Sequence, residues 1–160
     1  MLAGISLGSN LGDRLGTIRQ ASLMIKGMGV QIVASSDIFE TAPWGVKEQP
    51  WFLNACILVD TSDEPREMLS KLQSIENRLG RASRYRWGPR EIDLDLLFMD
   101  RLAVNEEGLV LPHPEMHNRS FVLVPLNQVA PDWVHPLLHR KVRELLEQLP
   151  VGEILRITDL

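Results

Sequence analysis

The chain has 160 residues and a net charge of −4, which is the length of one domain able to bury close to about 70% of the surface its unfolded form exposes. With 44% hydrophobic and 24% charged residues it has the composition of a soluble globular protein, and its acidic balance argues against general nucleic-acid binding. No run approaches the roughly 18 apolar residues of a membrane span, the N-terminus has no signal-peptide pattern, and a single cysteine, Cys56, fits a buried small hydrophobe in a reducing, cytoplasmic setting.

Leu2 to Leu7 reads as a short strand. The turn Gly8-Ser9-Asn10-Leu11-Gly12-Asp13 follows, with Asn10 or Asp13 able to cap a helix running to about Lys26. Gly27 and Gly29 end that helix. Val30 to Glu40 reads as one long strand, with Ile32, Ala34, Ser36, Ile38 and Glu40 on one face. Thr41 to Pro50 is a loop, and Trp51 to Thr61 a third strand. Ser62 or Asp63 caps a second helix, with Pro65 in its first turn and an apolar stripe at Met68, Leu69, Leu72, Ile75 and Leu79. After Gly80 comes a basic loop, then a strand from Ile92 to Met99. Leu102 to Val104 and Leu109 to Leu111 form a small hairpin, Ser120 to Val129 reads as a helix with a composition that also allows a strand, Val142 to Leu149 is helical, and Ile154 to Ile157 is a last strand. The order strand, helix, strand, strand, helix, strand predicts an α+β fold: a ferredoxin-like antiparallel or mixed sheet flanked by helices in three α/β/α layers.

The densest chemistry lies at Arg86-Trp87-Gly88-Pro89-Arg90-Glu91-Ile92-Asp93-Leu94-Asp95-Leu96-Leu97. Asp93 and Asp95 stand at i and i+2 of a strand, so they share a face with Cα atoms about 6.5 Å apart. At an effective dielectric near 20 they repel by about 2–3 kcal/mol. On a half-buried face that calls for a cation, and Mg²⁺ takes oxygen ligands while keeping waters and substrate phosphates in its shell. Arg78, Arg81, Arg84, Arg86 and Arg90 line the approach, and carboxylates beside an arginine loop suggest a polyphosphate substrate. Taken singly, the aspartates also suit an exposed strand face and the arginines a solvated loop; it is their conjunction that marks a site. No Gly-x-x-x-x-Gly-Lys-Ser/Thr occurs, which excludes a P-loop. The Gly8–Gly12 turn is a weak phosphate-loop candidate beside its reading as a structural turn.

Gln73 and Glu76, three apart on one helix, form either a solvated flank or a polar pair at the rim of the site. His113, held between prolines, and Arg119, able to clamp a phosphate, mark a second polar cluster. Thr41, Trp44, Phe52, Asn54, Trp87 and Phe121 offer flat faces and hydrogen-bonding groups suited to a heteroaromatic ring, though some of these aromatics also suit the core.

These segments together resemble the 6-hydroxymethyl-7,8-dihydropterin pyrophosphokinase family of folate biosynthesis. The run Arg86 to Leu97 looks like its signature. Ser6 to Gly12, Glu40 to Gly45, Gln49 to Asn54, Gln73 to Glu76 and Pro112 to Phe121 extend the resemblance over nearly the whole chain. It implies transfer of an intact pyrophosphoryl group from ATP to the pterin hydroxymethyl oxygen, with AMP released. It also implies two Mg²⁺ ions on Asp93 and Asp95, with Asp93 also beside the pterin. ATP contacts fall at Gln73, Glu76, Arg90, His113 and Arg119. A pterin pocket falls at Thr41, Trp44, Phe52, Asn54, Trp87 and Phe121, and a closing arginine loop includes Arg81. The family carries a second loop arginine at the position of Ser83; here Arg84 follows it and is the candidate substitute. Ala42 replaces a proline and Phe52 a tyrosine found in some members.

A single pyrophosphokinase domain over residues 1–160, monomeric, with ATP and a pterin as its partners, is the expectation. Two other readings use the same features. A non-catalytic nucleotide- or RNA-binding module would stack bases on the aromatics and lose affinity steeply with salt. A nucleotidyltransferase would use the paired aspartates but release pyrophosphate.

Overall fold

The computed structural model describes residues 1–43, 48–80 and 91–160. Strands β1 (Leu2–Ser9), β2 (Gln31–Ser35), β3 (Asp37–Thr41), β4 (Phe52–Asp60), β5 (Asp93–Met99) and β8 (Ile154–Asp159) form one sheet. A separate hairpin pairs β6 (Val104–Glu106) with β7 (Leu109–Leu111). Helices α1 (Arg14–Lys26) and α2 (Pro65–Arg78) cover one face of the sheet, and α3 (Ser120–Val129) with α4 (Val142–Glu147) the other. The sheet runs β5-β1-β4-β3-β8, with β2 also on β4. Every described pair in it is antiparallel. Up to β5 this is the expected ferredoxin-like arrangement.

Strand alternation assigns the two cores. Along β4, Leu53, Ala55, Ile57 and Val59 pack with Ile18, Ile25, Met68 and Leu72 of the first helix pair. Cys56 and Leu58 point the other way, to Val122, Leu126 and Leu145. On β5, Leu94 and Leu96 join the first core. A bulge then lets Leu97 and Phe98 both enter the second, because Ile5 pairs with Leu96 but Gly4 with Phe98. Asp93 and Asp95 therefore lie on the α3 side, ahead of the bulge.

Two local expectations are corrected and one alternative is resolved. The strand foreseen over Val30 to Glu40 is two strands. At Ser36 the backbone N–H donates to the Cys56 carbonyl (2.9 Å) and Oγ accepts from the Cys56 N–H (2.8 Å), so this serine is drawn into the sheet and the run breaks there. Helix α2 is capped by Glu64, whose N–H donates to Glu67 (3.4 Å); Asp63 is instead paired with Lys71 at 2.6 Å. Of the two candidates for α1, Asp13 is the cap, accepting from the Gly16 N–H (3.0 Å). Asn10 is buried and donates to Gln49 Oε1 (2.8 Å) and the Pro50 carbonyl (3.0 Å). The turn is thus a structural one that ties β1 to the loop before β4.

Candidate active site

The register of β5, β1 and β4 lays out the site. Gly8 pairs with Asp93 on one side and Asn54 on the other; Ser6 pairs with Asp95 and Cys56. Facing residues in one row share a face, so carboxylates stand at one end and an amide at the other, about 10 Å away across two strand spacings. Small residues lie between. A Cβ on Gly8 would sit 3.0 Å from Asn54 Oδ1, so glycine keeps the floor open. The sequence placed Ser6 and Gly8 only within the Ser6–Gly12 segment and its turn; their place in the floor comes from the strand pairing that sets them opposite the aspartates.

At the amide end, Asn54 and Thr41 are both buried, and Asn54 Nδ2 donates to Thr41 Oγ1. Thr41 pairs with half-buried Phe52 across β3 and β4. Phe121 lies in the first turn of α3, with the Arg119 guanidinium 5.7 Å from its ring centroid.

At the carboxylate end, Asp95 Oδ2 lies 3.9 Å from both His113 Nε2 and Arg119 Nη1. Arg119 is buried; His113 and Asp95 are partly exposed. The His113 backbone donates to the Leu97 carbonyl (2.8 Å) and its Nδ1 accepts from the Glu115 N–H (3.1 Å). That bond leaves the proton on Nε2, directed toward Asp95. Beside the pair opens a cavity of about 290 Å³ with walls of Leu69, Leu96, Leu109 and Leu111 and with Asp95 and His113 at its polar end. Apolar walls that end at Asp95 and the neutral His113, with Arg119 3.9 Å beyond on Asp95, suit a purine base whose phosphates run toward that guanidinium. In the sequence these leucines look like ordinary core.

Glu76 is 4% exposed, and Oε2 accepts the Leu94 N–H at 2.8 Å. Gln73, on the same helix, is exposed. The two were read as one polar face, but only Glu76 reaches the strand that carries the aspartates. Trp44, Arg81, Arg84, Arg86, Trp87 and Arg90 lie outside the described residues.

Burial, reinforced by Arg119, lowers the His113 pKa from its ordinary 6.5 to about 4, against the opposing pull of Asp93 and Glu115. Between those values the unfolded chain binds more protons than the folded one. Stability therefore rises with pH across this window, and is lost as pH falls from 6.5 through about 4. His113→Gln should flatten that loss, read as urea midpoints across the window without nucleotide or metal. Parallel curves for the variant and its parent would show that His113 titrates alike in both states.

Residues 4–131 match the family model for 7,8-dihydro-6-hydroxymethylpterin-pyrophosphokinase (HPPK). The chain belongs to the HPPK family. It is 42% identical over 156 residues to the 2-amino-4-hydroxy-6-hydroxymethyldihydropteridine pyrophosphokinase of Methylorubrum extorquens, covering 97% of this chain and 98% of that one. To the Bacillus subtilis enzyme of the same name it is 45% identical over 130 residues, 81% of this chain and 78% of the other. A solved Plasmodium falciparum HPPK-DHPS with pteroate shares the HPPK fold at a TM-score of 0.73 and 16% identity, over 92% of this chain and 42% of that longer one. Among the described residues, no helix is long and apolar enough to cross a membrane.

Proposed function

We propose that this chain transfers the pyrophosphoryl group of ATP to the hydroxymethyl oxygen of 6-hydroxymethyl-7,8-dihydropterin, releasing AMP, in folate biosynthesis. The observation that carries the reading is the row Asp93–Gly8–Asn54, with Arg119 and His113 behind the carboxylates. It sets a ring-recognising end opposite a phosphate-handling end across an open floor.

Asn54 and Thr41 recognise the ring edge of the pterin, and Phe52 and Phe121 supply its stacking faces. Arg119 and the Nε2–H of His113 hold ATP phosphate oxygens, and the leucine cavity holds adenine. Asp93 and Asp95 fit Mg²⁺. Their donor set is all oxygen, and two carboxylates alone leave an ion positions for water and phosphate. When bound, two Mg²⁺ ions supply charge neutralisation across the phosphates. The protein's own contribution is orientation. The floor brings the hydroxymethyl oxygen to the Asp93 end, where it attacks Pβ as the bond from Pβ to the α,β-bridging oxygen breaks; AMP departs with that oxygen, and the hydroxyl proton passes to solvent or to AMP. A monomer of one domain in the cytoplasm, with ATP and pterin as its partners, completes the proposal.

Incubation with ATP, Mg²⁺ and the pterin, followed by nucleotide analysis, tests the reading. Pterin-dependent AMP without ADP is the expected result. ADP would indicate ordinary phosphoryl transfer, and free pyrophosphate nucleotidyl transfer; either would overturn it.

A further inference from the structure

The Gly8–Asp13 turn leads into α1, whose first residue reaches back toward the site from the far side of the sheet. Arg14 Nη1 donates to Glu40 Oε2 and to the Trp51 carbonyl, each at 2.8 Å. Glu40 immediately precedes Thr41, and Trp51 immediately precedes Phe52. Glu40 pairs with Leu53 and Thr41 with Phe52. Leu53 belongs to the core under α1, so Glu40 faces α1 while Thr41 and Phe52 face the ring-recognising end. One guanidinium thus grips, from behind, the two strand ends whose front side chains meet the substrate ring.

We propose that Arg14 is a positioning residue for pterin binding: through Glu40 and the Trp51 carbonyl it fixes the spacing and register of Thr41 and Phe52. The inference rests on the pterin reading above. Its physical basis is the charge-assisted fork, which holds two acceptors at one cation and does so in a half-buried setting (side chains 31% and 26% exposed), where an ion pair is screened less than at a free surface. Through these two acceptors Arg14 ties the end of β3 to the residue that leads into β4, beside the Glu40–Leu53 and Thr41–Phe52 pairs of the β3–β4 ladder. Asn54, hydrogen-bonded to Thr41, takes its alignment from the same pair. The ATP end shares none of these contacts, so the effect is confined to one substrate.

The test measures pterin and nucleotide affinity separately, by calorimetry with Mg²⁺ and α,β-methylene-ATP, in which the bond broken by pyrophosphoryl transfer is blocked. Arg14→Ala should weaken pterin binding about tenfold, with the analogue's affinity changed less than about twofold. Arg14→Lys, which keeps a donor and the charge, should recover part of the loss. In a cycle with Glu40→Ala, the second substitution should add little to the first. A fall in melting temperature with pterin affinity unchanged would reduce Arg14 to a stability role and overturn the inference, as would equal losses for both ligands. If Arg14→Ala does not fold, Arg14→Lys and Glu40→Gln carry the same comparison, and unchanged pterin affinity in both overturns it. A parent protein that binds the analogue but no pterin would instead overturn the function from which the inference starts.

Discussion

Asp95→Ala should lower kcat by about a thousandfold or more while the protein still melts cooperatively. Asp95 is one of the two carboxylates at the end proposed to handle phosphate, and its Oδ2 is 3.9 Å from both His113 Nε2 and Arg119 Nη1. Transition-state charge stabilisation by a metal-bearing carboxylate is worth several kcal/mol, and each 1.36 kcal/mol is about a factor of ten. The strand itself does not depend on this side chain. Leu94 and Leu96 on either side anchor it in the first core, and β1 pairs along its length. Asp95→Asn is the sharper variant, since it keeps shape and hydrogen bonding and removes the charge. Initial rates over a Mg²⁺ titration, beside a thermal melt, make the check. Full activity in Asp95→Asn would remove the metal assignment, whereas activity restored only at high Mg²⁺ would place the loss in ion affinity.

Most of the architecture was legible because local and global signals agree. The α2 stripe, the proline opening α2 and the alternation on β5 each follow from the local sequence. The break at Ser36 was not: Ser35-Ser36-Asp37 is a weak point between stronger strand formers, but the hydrogen bonds that impose the interruption come from Cys56, twenty positions away in sequence. The Glu64 cap was missed because Asp63, a better cap by type, is taken by Lys71. In the site, residues that present charge or an aromatic face announced themselves. Those that act by being small or apolar did not. Gly8 and Ser6 shape the floor, and Leu109 and Leu111 shape a cavity, yet nothing in their own chemistry separates them from turn and core. Arg14 was equally silent, since its two acceptors come from segments that fold beside it only in three dimensions.

Glu76 separates two roles that the sequence leaves merged. Its position suits contact with ATP, yet its carboxylate accepts the Leu94 N–H at 2.8 Å from a site only 4% exposed. Leu94 lies between the two aspartates, so this bond sets the height and tilt of the strand segment that presents both. Glu76→Ala leaves that buried N–H without its acceptor, which should destabilise the fold by about 1–3 kcal/mol. Through the displaced aspartates it should also lower activity about 10–100-fold, the usual effect of removing an outer-shell partner. Glu76→Gln is decisive because its amide oxygen still accepts from Leu94 while the charge is gone. If the bond to the strand is what counts, Glu76→Gln should keep most of the stability and activity, with Mg²⁺ dependence close to the parent's. If the charge itself acts on nucleotide, Glu76→Gln should keep stability and lose ATP affinity. Urea unfolding and nucleotide titration on the two variants distinguish these outcomes. The buried geometry favours the first, since a carboxylate aimed at a backbone amide inside the helix–strand interface has its acceptor oxygen already engaged before nucleotide arrives.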